Sequence, residues 1–260
     1  VGELEGKTAL IFGVANHNSI AWAIAQKLAE QGARLAFTYQ ERMEQNVRKL
    51  TAQFDNALVL PCDVQSDADL DATFERVGQE FGGLDALIHS VAYAPTEDLR
   101  GRVSHVSRAG FTTALDISAY SLLAMGKRAE PLMQQRGGGS IVAMTYLGSV
   151  RVVPGYNLMG IAKAALEASI RYLAWDLGQA GVRVNGISAG PLRTLSARGV
   201  GNINDMFGLV DQVAPLHRNI AQTDVGDMAA FLCSERAQNI TGNVIYVDSG
   251  FQLMGLGMMG

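Results

Sequence analysis

The stretch Thr8-Ala9-Leu10-Ile11-Phe12-Gly13-Val14-Ala15-Asn16-His17-Asn18-Ser19-Ile20-Ala21 opens on a short, continuous apolar run that stops at a glycine. A strand covered on both faces of a parallel sheet reads this way. From Ser19 onward the apolar positions Ile20, Ala21, Ile24, Ala25 and Leu28 recur at helical spacing as far as Gly32. Ser before such a run and Gly after it are the residues expected to cap a helix. The opening of the chain is therefore a strand, a turn and a helix.

The alternation continues outward from there. Further strands are predicted at 34–38, 57–60, 84–89, 140–145, 182–188 and 244–247, with helices at 40–54, 66–81, 111–133 and 156–178. Strand and helix in strict alternation imply βαβ units, and right-handed crossovers put helices on both faces of the sheet. The expected architecture is a single α/β domain over residues 1–260, a doubly wound, seven-stranded parallel sheet. Gly190 to Val213 breaks the pattern after Pro191, so residues 190–213 read as a mobile flap over a site. The Gly- and Met-rich tail, Phe251 to Gly260, is expected to pack against a neighbouring subunit or the core.

Composition narrows the function. The 260 residues are 48% hydrophobic and 18% charged with a formal charge of −4, and no run of Lys or Arg stands out. A nucleic acid or an anionic membrane is an unexpected partner for such a surface. No stretch reaches the ~18 consecutive apolar residues of a membrane span, and Val1 to Lys7 hold no signal-peptide core. Cys62 and Cys233 match no metal spacing and read as reduced thiols of a cytoplasmic protein. His17, His89, His105 and His217 show no mutual metal spacing either, so no metal is expected. The chain does not begin with Met, which leaves open a mature form processed for the plastid stroma.

A glycine turn that leads into a helix N-terminus is an anion site, because free amides and the helix dipole meet a diphosphate there. The turn here keeps Gly13 but has Ser19 and Ile20 where later glycines are expected, and a plain βα turn reads the same way. The second strand ends in Thr38-Tyr39-Gln40, at the distance where an adenosine ribose is read. Gln40 is neutral and Glu41 acidic, which favours NADH over NADPH, with Arg42 as the nearby basic residue. Asp63, before Val64, is placed to meet an adenine amino group or to cap a turn. Ser90-Val91-Ala92-Tyr93-Ala94 puts small residues at a carboxyl strand end, where ligands bind in this architecture.

Chemistry is expected beyond the middle strands. Tyr156 and Lys163 are seven residues apart and share one helix face. A phenol there can donate a hydrogen bond to a carbonyl oxygen as it becomes an enolate. A lysine on the same face can hold a nicotinamide ribose. This Tyr-x6-Lys block, with Tyr146 ten residues before Tyr156, resembles the enoyl-[acyl-carrier-protein] reductases, a divergent branch of the short-chain dehydrogenase/reductase superfamily. Ordinary members of that superfamily carry Tyr-x3-Lys, which this chain lacks. Gly13 to Ala21, Thr38-Tyr39-Gln40, Leu115 to Ser118, Arg183-Val184-Asn185, Ile187 to Pro191, Arg193-Thr194, Val225-Gly226 and Ile240 to Asp248 extend the likeness over nearly the whole length.

The resemblance implies a Rossmann-type fold and delivery of hydride from NADH to the β-carbon of a trans-2-enoyl thioester in fatty-acid synthesis. It implies that Tyr156 stabilises the enolate, that Lys163 binds the nicotinamide ribose and that Tyr146 lines the acyl site. It further implies that Gly13, Ser19, Ile20, Gln40, Asp63, Val64, Ser90, Ala92, Lys163, Pro191 and Thr194 contact the cofactor. Tyr93, Ala94, Met159, Ala197 and Val200 would border the substrate, although Met159 and Val200 equally suit plain packing. The implied partners are an acyl carrier protein, as thioester substrate, and three more copies of the chain in a homotetramer. Three departures stand out: Ala92 where many relatives have Gly, Gly155 where an Asn is common, and a stretch from Gly199 to Asp205 that lacks the basic cluster some relatives use to meet an acidic carrier protein, with Arg198 alone remaining beside it. The competing readings are a short-chain carbonyl reductase, disfavoured by the missing Tyr-x3-Lys, and a non-catalytic dinucleotide sensor, disfavoured because Tyr156 and Lys163 are both present.

Overall fold

A computed structural model of the chain describes residues 2–194 and 203–255, with the backbone alone at 203–205. Its centre is a seven-stranded sheet made of β1 (Thr8–Phe12), β2 (Arg34–Tyr39), β3 (Leu58–Pro61), β4 (Ala86–His89), β5 (Gly139–Thr145), β6 (Val182–Ala189) and β7 (Val244–Val247). The strands run in the order β3-β2-β1-β4-β5-β6-β7, and every neighbouring pair is parallel. The doubly wound sheet expected from the alternation of elements is the one observed.

Each strand of the middle sends alternate side chains to opposite faces. Ala9 and Ile11 of β1 join one core with Trp22, Ile24 and Leu28 of α1 (Ile20–Glu30), and Leu10 and Phe12 join the other. That second core takes in Leu70, Phe74 and Val77 of α3 (Asp67–Phe81). The continuous apolar reading of 8–12 is thus the signature of a strand buried on both sides, with all five residues buried.

Four details differ from the sequence expectation. Ser19 does precede α1 but does not cap it: its hydroxyl accepts the N–H groups of Ala15 (3.0 Å) and Asn16 (3.1 Å), closing the preceding turn. The helix expected at 40–54 is shorter, α2 (Glu44–Thr51), after a 3-10 turn at Glu41–Met43. The single helix expected at 111–133 is α5 (Arg108–Leu115) and α6 (Ser121–Gln134), joined by a π-turn at Asp116–Tyr120 that follows a short α4 (Thr96–Arg100). The helix at the end is α7 (Asn157–Leu177), and two more follow it, α8 (Ile203–Val213) and α9 (Gln222–Cys233). The later half of the segment read as an irregular flap is therefore helical. The α9 helix, absent from the sequence reading, buries Val225, Ala229 and Leu232 against α1. Its i, i+4, i+7 spacing was the available signal. Among the described residues no helix is long and apolar enough to cross a membrane.

At the amino ends of the strands, Asp85 ties the sheet together. One carboxylate oxygen accepts the Thr8 N–H (2.9 Å), the Thr8 hydroxyl (3.1 Å) and Arg136 Nε (3.1 Å), and Lys7 lies 3.4 Å from the other. Asp85→Ala leaves the buried Thr8 N–H without its acceptor and takes the carboxylate from Arg136, whose Nη2 keeps Gly6 O. Urea unfolding is expected to show a loss of about 2–4 kcal/mol, and a loss below about 0.5 kcal/mol contradicts this role.

Candidate active site

The sheet order reverses between β1 and β4, so the loops leaving their carboxyl ends turn to opposite sides and open a crevice. Gly13 follows β1 at φ +105°, and a Cβ there would overlap the carbonyl oxygen of Ser90, just past β4. Only glycine lets these two loops meet at the base of the crevice. The turn closed by Ser19 then presents the first turn of α1 to the same space, the arrangement that receives anions.

An open cleft extends from this point. Of the residues singled out from sequence, Gly13, Ser19, Ile20, Ser90, Ala92, Tyr146, Tyr156, Lys163, Pro191 and Thr194 line it. Ala15, Val91, Met144, Thr145, Ala189, Gly190 and Leu192 line it too; none is assigned a contact of its own from sequence, although Val91 stands in the small-residue run after the fourth strand and the others lie near strand ends. Gln40, exposed, stands at the end of β2, with Asp63 (exposed) and Val64 past the end of β3. All three share the carboxyl edge of the sheet but lie outside this cleft. Asp63 Oδ1 accepts the N–H of Gln65 (3.1 Å), the turn-capping contact that a local reading allows. Tyr93 is exposed, whereas Ala94 and Met159 are buried with Leu99, Ala114, Leu158 and Ala162 in a small core behind the cleft. Ala197 and Val200 lie outside the described residues.

The chemistry-bearing side chains come from two elements. Tyr146 follows β5, and Tyr156 immediately precedes α7, which carries Lys163. The two phenol rings meet edge to face with centroids 4.8 Å apart. Gly148 is pressed against the Tyr156 ring, where any Cβ would overlap it. Tyr146 Oη donates to Met206 Sδ at 3.8 Å, so α8 reaches the cleft. Burial pushes the Tyr146 phenol up to about 12. Burial, reinforced by Tyr146 and the Glu167 carboxylate, also raises Tyr156. Both hydroxyls therefore keep their protons at neutral pH.

Lys163 is buried, and its Nζ donates to the carbonyl oxygen of Met144 at 2.7 Å. Burial lowers its pKa to about 8 against the opposing pull of Glu167. His89, at the end of β4, is buried and held near 3 by burial and then by the charge of Lys163. Since the Ser121 hydroxyl donates to Ile117 O (2.7 Å), neutral His89 donates from Nε2 to Ser121 Oγ (2.8 Å), leaving Nδ1 without a hydrogen bond. This bond crosses the π-turn, a distortion often found beside functional sites. Within that turn Ser118 accepts the Tyr93 N–H (3.0 Å) and so fixes the loop after β4. Asn157 Nδ2 ties the start of α7 to Leu99 O and Gly101 O, each at 2.7 Å. Among the described residues no group of three or more His, Cys, Asp or Glu side chains is arranged to hold a metal ion.

Residues 13–252 match the sequence family described as enoyl-(acyl carrier protein) reductase. The chain is 51% identical over 257 residues to the NADH enoyl-[acyl-carrier-protein] reductase of Nostoc sp., covering 97% of this chain and 99% of that one. It is 49% identical over 251 residues to the NADPH enoyl-[acyl-carrier-protein] reductase of Staphylococcus aureus, covering 95% and 97%. The solved structure of the Bacillus cereus enoyl-acyl carrier protein reductase with NADP+ and an indole naphthyridinone superposes with a TM-score of 0.96 at 50% identity, covering 98% of this chain and 100% of that one. On the strength of this full-length match, and of a tyrosine pair and buried lysine set at the crevice between β1 and β4, the chain belongs to the enoyl-(acyl carrier protein) reductase family.

Proposed function

We propose that the protein reduces the trans-2 double bond of enoyl thioesters carried on acyl carrier protein, in fatty-acid synthesis, with NADH as the preferred donor. The observation that carries this reading is the convergence of Tyr156, Tyr146 and Lys163 on one cleft beside the β1–β4 crevice. The cleft suits a dinucleotide: Gly13 leaves backbone open at the turn, and the small side chains of Ala15, Ala92 and Ala189 leave width beyond it. A bound reduced nicotinamide supplies the hydride that goes to the β-carbon.

Gly13, Ser19 and Ile20 would hold the diphosphate, with Gln40 at the adenosine ribose and Asp63 and Val64 at the adenine. Ser90, Ala92, Lys163, Pro191 and Thr194 would surround the nicotinamide half. Lys163, an ammonium with its back to Met144 O, offers its remaining donors to ribose hydroxyls. Tyr156, kept protonated by burial, donates its O–H to the thioester carbonyl as negative charge gathers on that oxygen. Tyr146 packs edge-on against Tyr156 and, with Met206, borders the acyl chain. Tyr93, Ala94, Met159, Ala197 and Val200 would complete the acyl side, Ala94 and Met159 as backing beneath it.

Relatives divide between NADH and NADPH, so the cofactor preference rests on local side chains. Gln40 is neutral, Glu41 beside it is acidic, and the exposed Arg42 is engaged in donating to Gln40 Oε1 at 2.9 Å. Assembly as a homotetramer is supported by an apolar stripe on α7, where Ile161, Tyr172 (76% exposed) and Trp175 (79% exposed) repeat on one side. Phe111 of α5, Tyr120 of the π-turn and Leu123 of α6 are exposed as well. The unpaired thiols Cys62 and Cys233 suit a reducing compartment such as the bacterial cytoplasm.

Loss of NADH absorbance with crotonyl and dodecenoyl thioesters, and none with acetoacetyl thioester, is the expected assay result. Turnover of the ketone alone would place the protein among carbonyl reductases. In the same assay kcat/KM for NADH is expected to exceed that for NADPH by about tenfold, a difference of ~1.4 kcal/mol. Tyr156→Phe is expected to lower kcat by about 10²–10³-fold while NADH binding, followed by fluorescence, stays near native. Full turnover in that variant contradicts the role of the phenol. Light scattering is expected to return four times the mass of the chain, and a monomer would remove the explanation for the α7 stripe.

A further inference from the structure

Glu167 lies one turn beyond Lys163 on α7, and both side chains are buried, each 5% exposed. Its Oε1 accepts the hydroxyl of Thr145 (2.7 Å), the last residue of β5, and the hydroxyl of Ser149 in the turn that follows Tyr146. A carboxylate is an acceptor only, and two hydroxyl donors converge on this oxygen. Thr145 lines the cleft, whereas Glu167 stands behind it.

Lys163 has the complementary need. Its Nζ donates to a neutral carbonyl, and an ammonium out of water with only neutral partners is held at high cost. The groups around the pair are few. On the Lys163 side are Tyr156 and Tyr146, both protonated, and His89, which is neutral. On the Glu167 side are Tyr156 and, from β7, Tyr246, with Asp248 and Arg151 beyond it. Glu167 is the anion whose field favours the charged form of Lys163. The two do not touch, since Lys163 is directed to Met144 and Glu167 to the two hydroxyls.

We propose that Glu167 is a positioning residue that acts through Lys163: it is the buried counter-charge that keeps the ammonium protonated where the cofactor ribose is held, and Thr145 and Ser149 fix it there. The inference rests on the proposed role of Lys163 and extends it to the next turn of the helix.

The test is NADH binding by the full-length protein, followed by fluorescence from neutral to alkaline pH. Native affinity is expected to fall through a midpoint near 8, as Lys163 loses its proton. In Glu167→Gln the amide oxygen still accepts both hydroxyls while the charge is gone. The midpoint is expected to move down by about one pH unit, which makes binding about tenfold weaker on the alkaline side. Glu167→Asp keeps the charge and is expected to bring the midpoint back towards the native value. In Lys163→Met, weak binding with no such midpoint is expected. A folded Glu167→Gln protein with the native midpoint overturns the inference, even if its affinity is lower at every pH, because packing alone would produce that. A Lys163→Met protein that keeps the native pH profile overturns the role of Lys163 itself.

Discussion

Lys163 Nζ reaches the carbonyl oxygen of Met144 across 2.7 Å and so fastens α7 to the carboxyl end of β5 with an ammonium between them. An ammonium removed from water is tolerated only when its surroundings are fixed and polar, so this bond constrains the elements on both sides. The helix has to approach the turn after β5 closely, and it does so at Gly160, where a Cβ would crowd Gly148 O. It also crosses the sheet at Gly186, where the end of Ile170 fills the space a side chain would take. Once α7 sits at that depth, Tyr156 at its start can only lie against Tyr146 and Gly148.

The sheet supplies the other coordinate. Its two middle strands, β1 and β4, end side by side, and the next strand, β5, brings Thr145 and Tyr146 to the same level. Asp85 locks the opposite ends of the strands, so their carboxyl ends hold a defined height above it. The π-turn between α5 and α6 adds one further adjustment. It turns Ser118 towards Tyr93 and Ser121 towards His89, which joins the loop after β4 to the helices that flank α7. Rigid elements thus hold the tyrosines and the lysine, while α8 reaches Tyr146 through Met206.

What was legible in the sequence follows from this division. A strand buried on both faces reads as an apolar run, which places 8–12 to the residue; the apolar run 244–247 is equally legible although its residues are only partly buried at the edge of the sheet. The cleft residues at strand ends were equally readable, because a parallel sheet fixes where ligands enter. The π-turn is not, since Leu115 to Ser121 keeps a helical pattern and the distortion goes with tertiary bonds of Ser118 to Tyr93 and Ser121 to His89. Ala94 and Met159 are buried with Leu99 and Leu158 in a small core, the packing that the sequence leaves open for Met159 beside a place at the substrate. Helical spacing gives the face of a side chain but not the layer it ends in. The contact between Tyr146 and Met206 is of the same kind: it joins residues sixty positions apart through packing that no local pattern encodes.

The spacing of Tyr156 and Lys163 has a geometric meaning in the proposed reaction. Seven residues of helix advance about 10 Å and return to nearly the same face, whereas a spacing of four advances about 6 Å. A phenol at the longer spacing stands further along the cleft from the ammonium that would hold the ribose. In reduction of a ketone, the carbon that takes hydride bears the oxygen that takes charge. In reduction of an enoyl thioester, the charge gathers on an oxygen separated from the β-carbon by the α-carbon and the carbonyl carbon. The hydrogen-bond donor then has to stand further from the hydride donor than a ketone requires. Tyr156 precedes the first residue of α7 rather than lying within it, and Tyr146 and Gly148, from the segment after β5, support it from outside the helix. The longer spacing therefore asks for a second element to hold the ring, which is the work that Tyr146 and Gly148 perform.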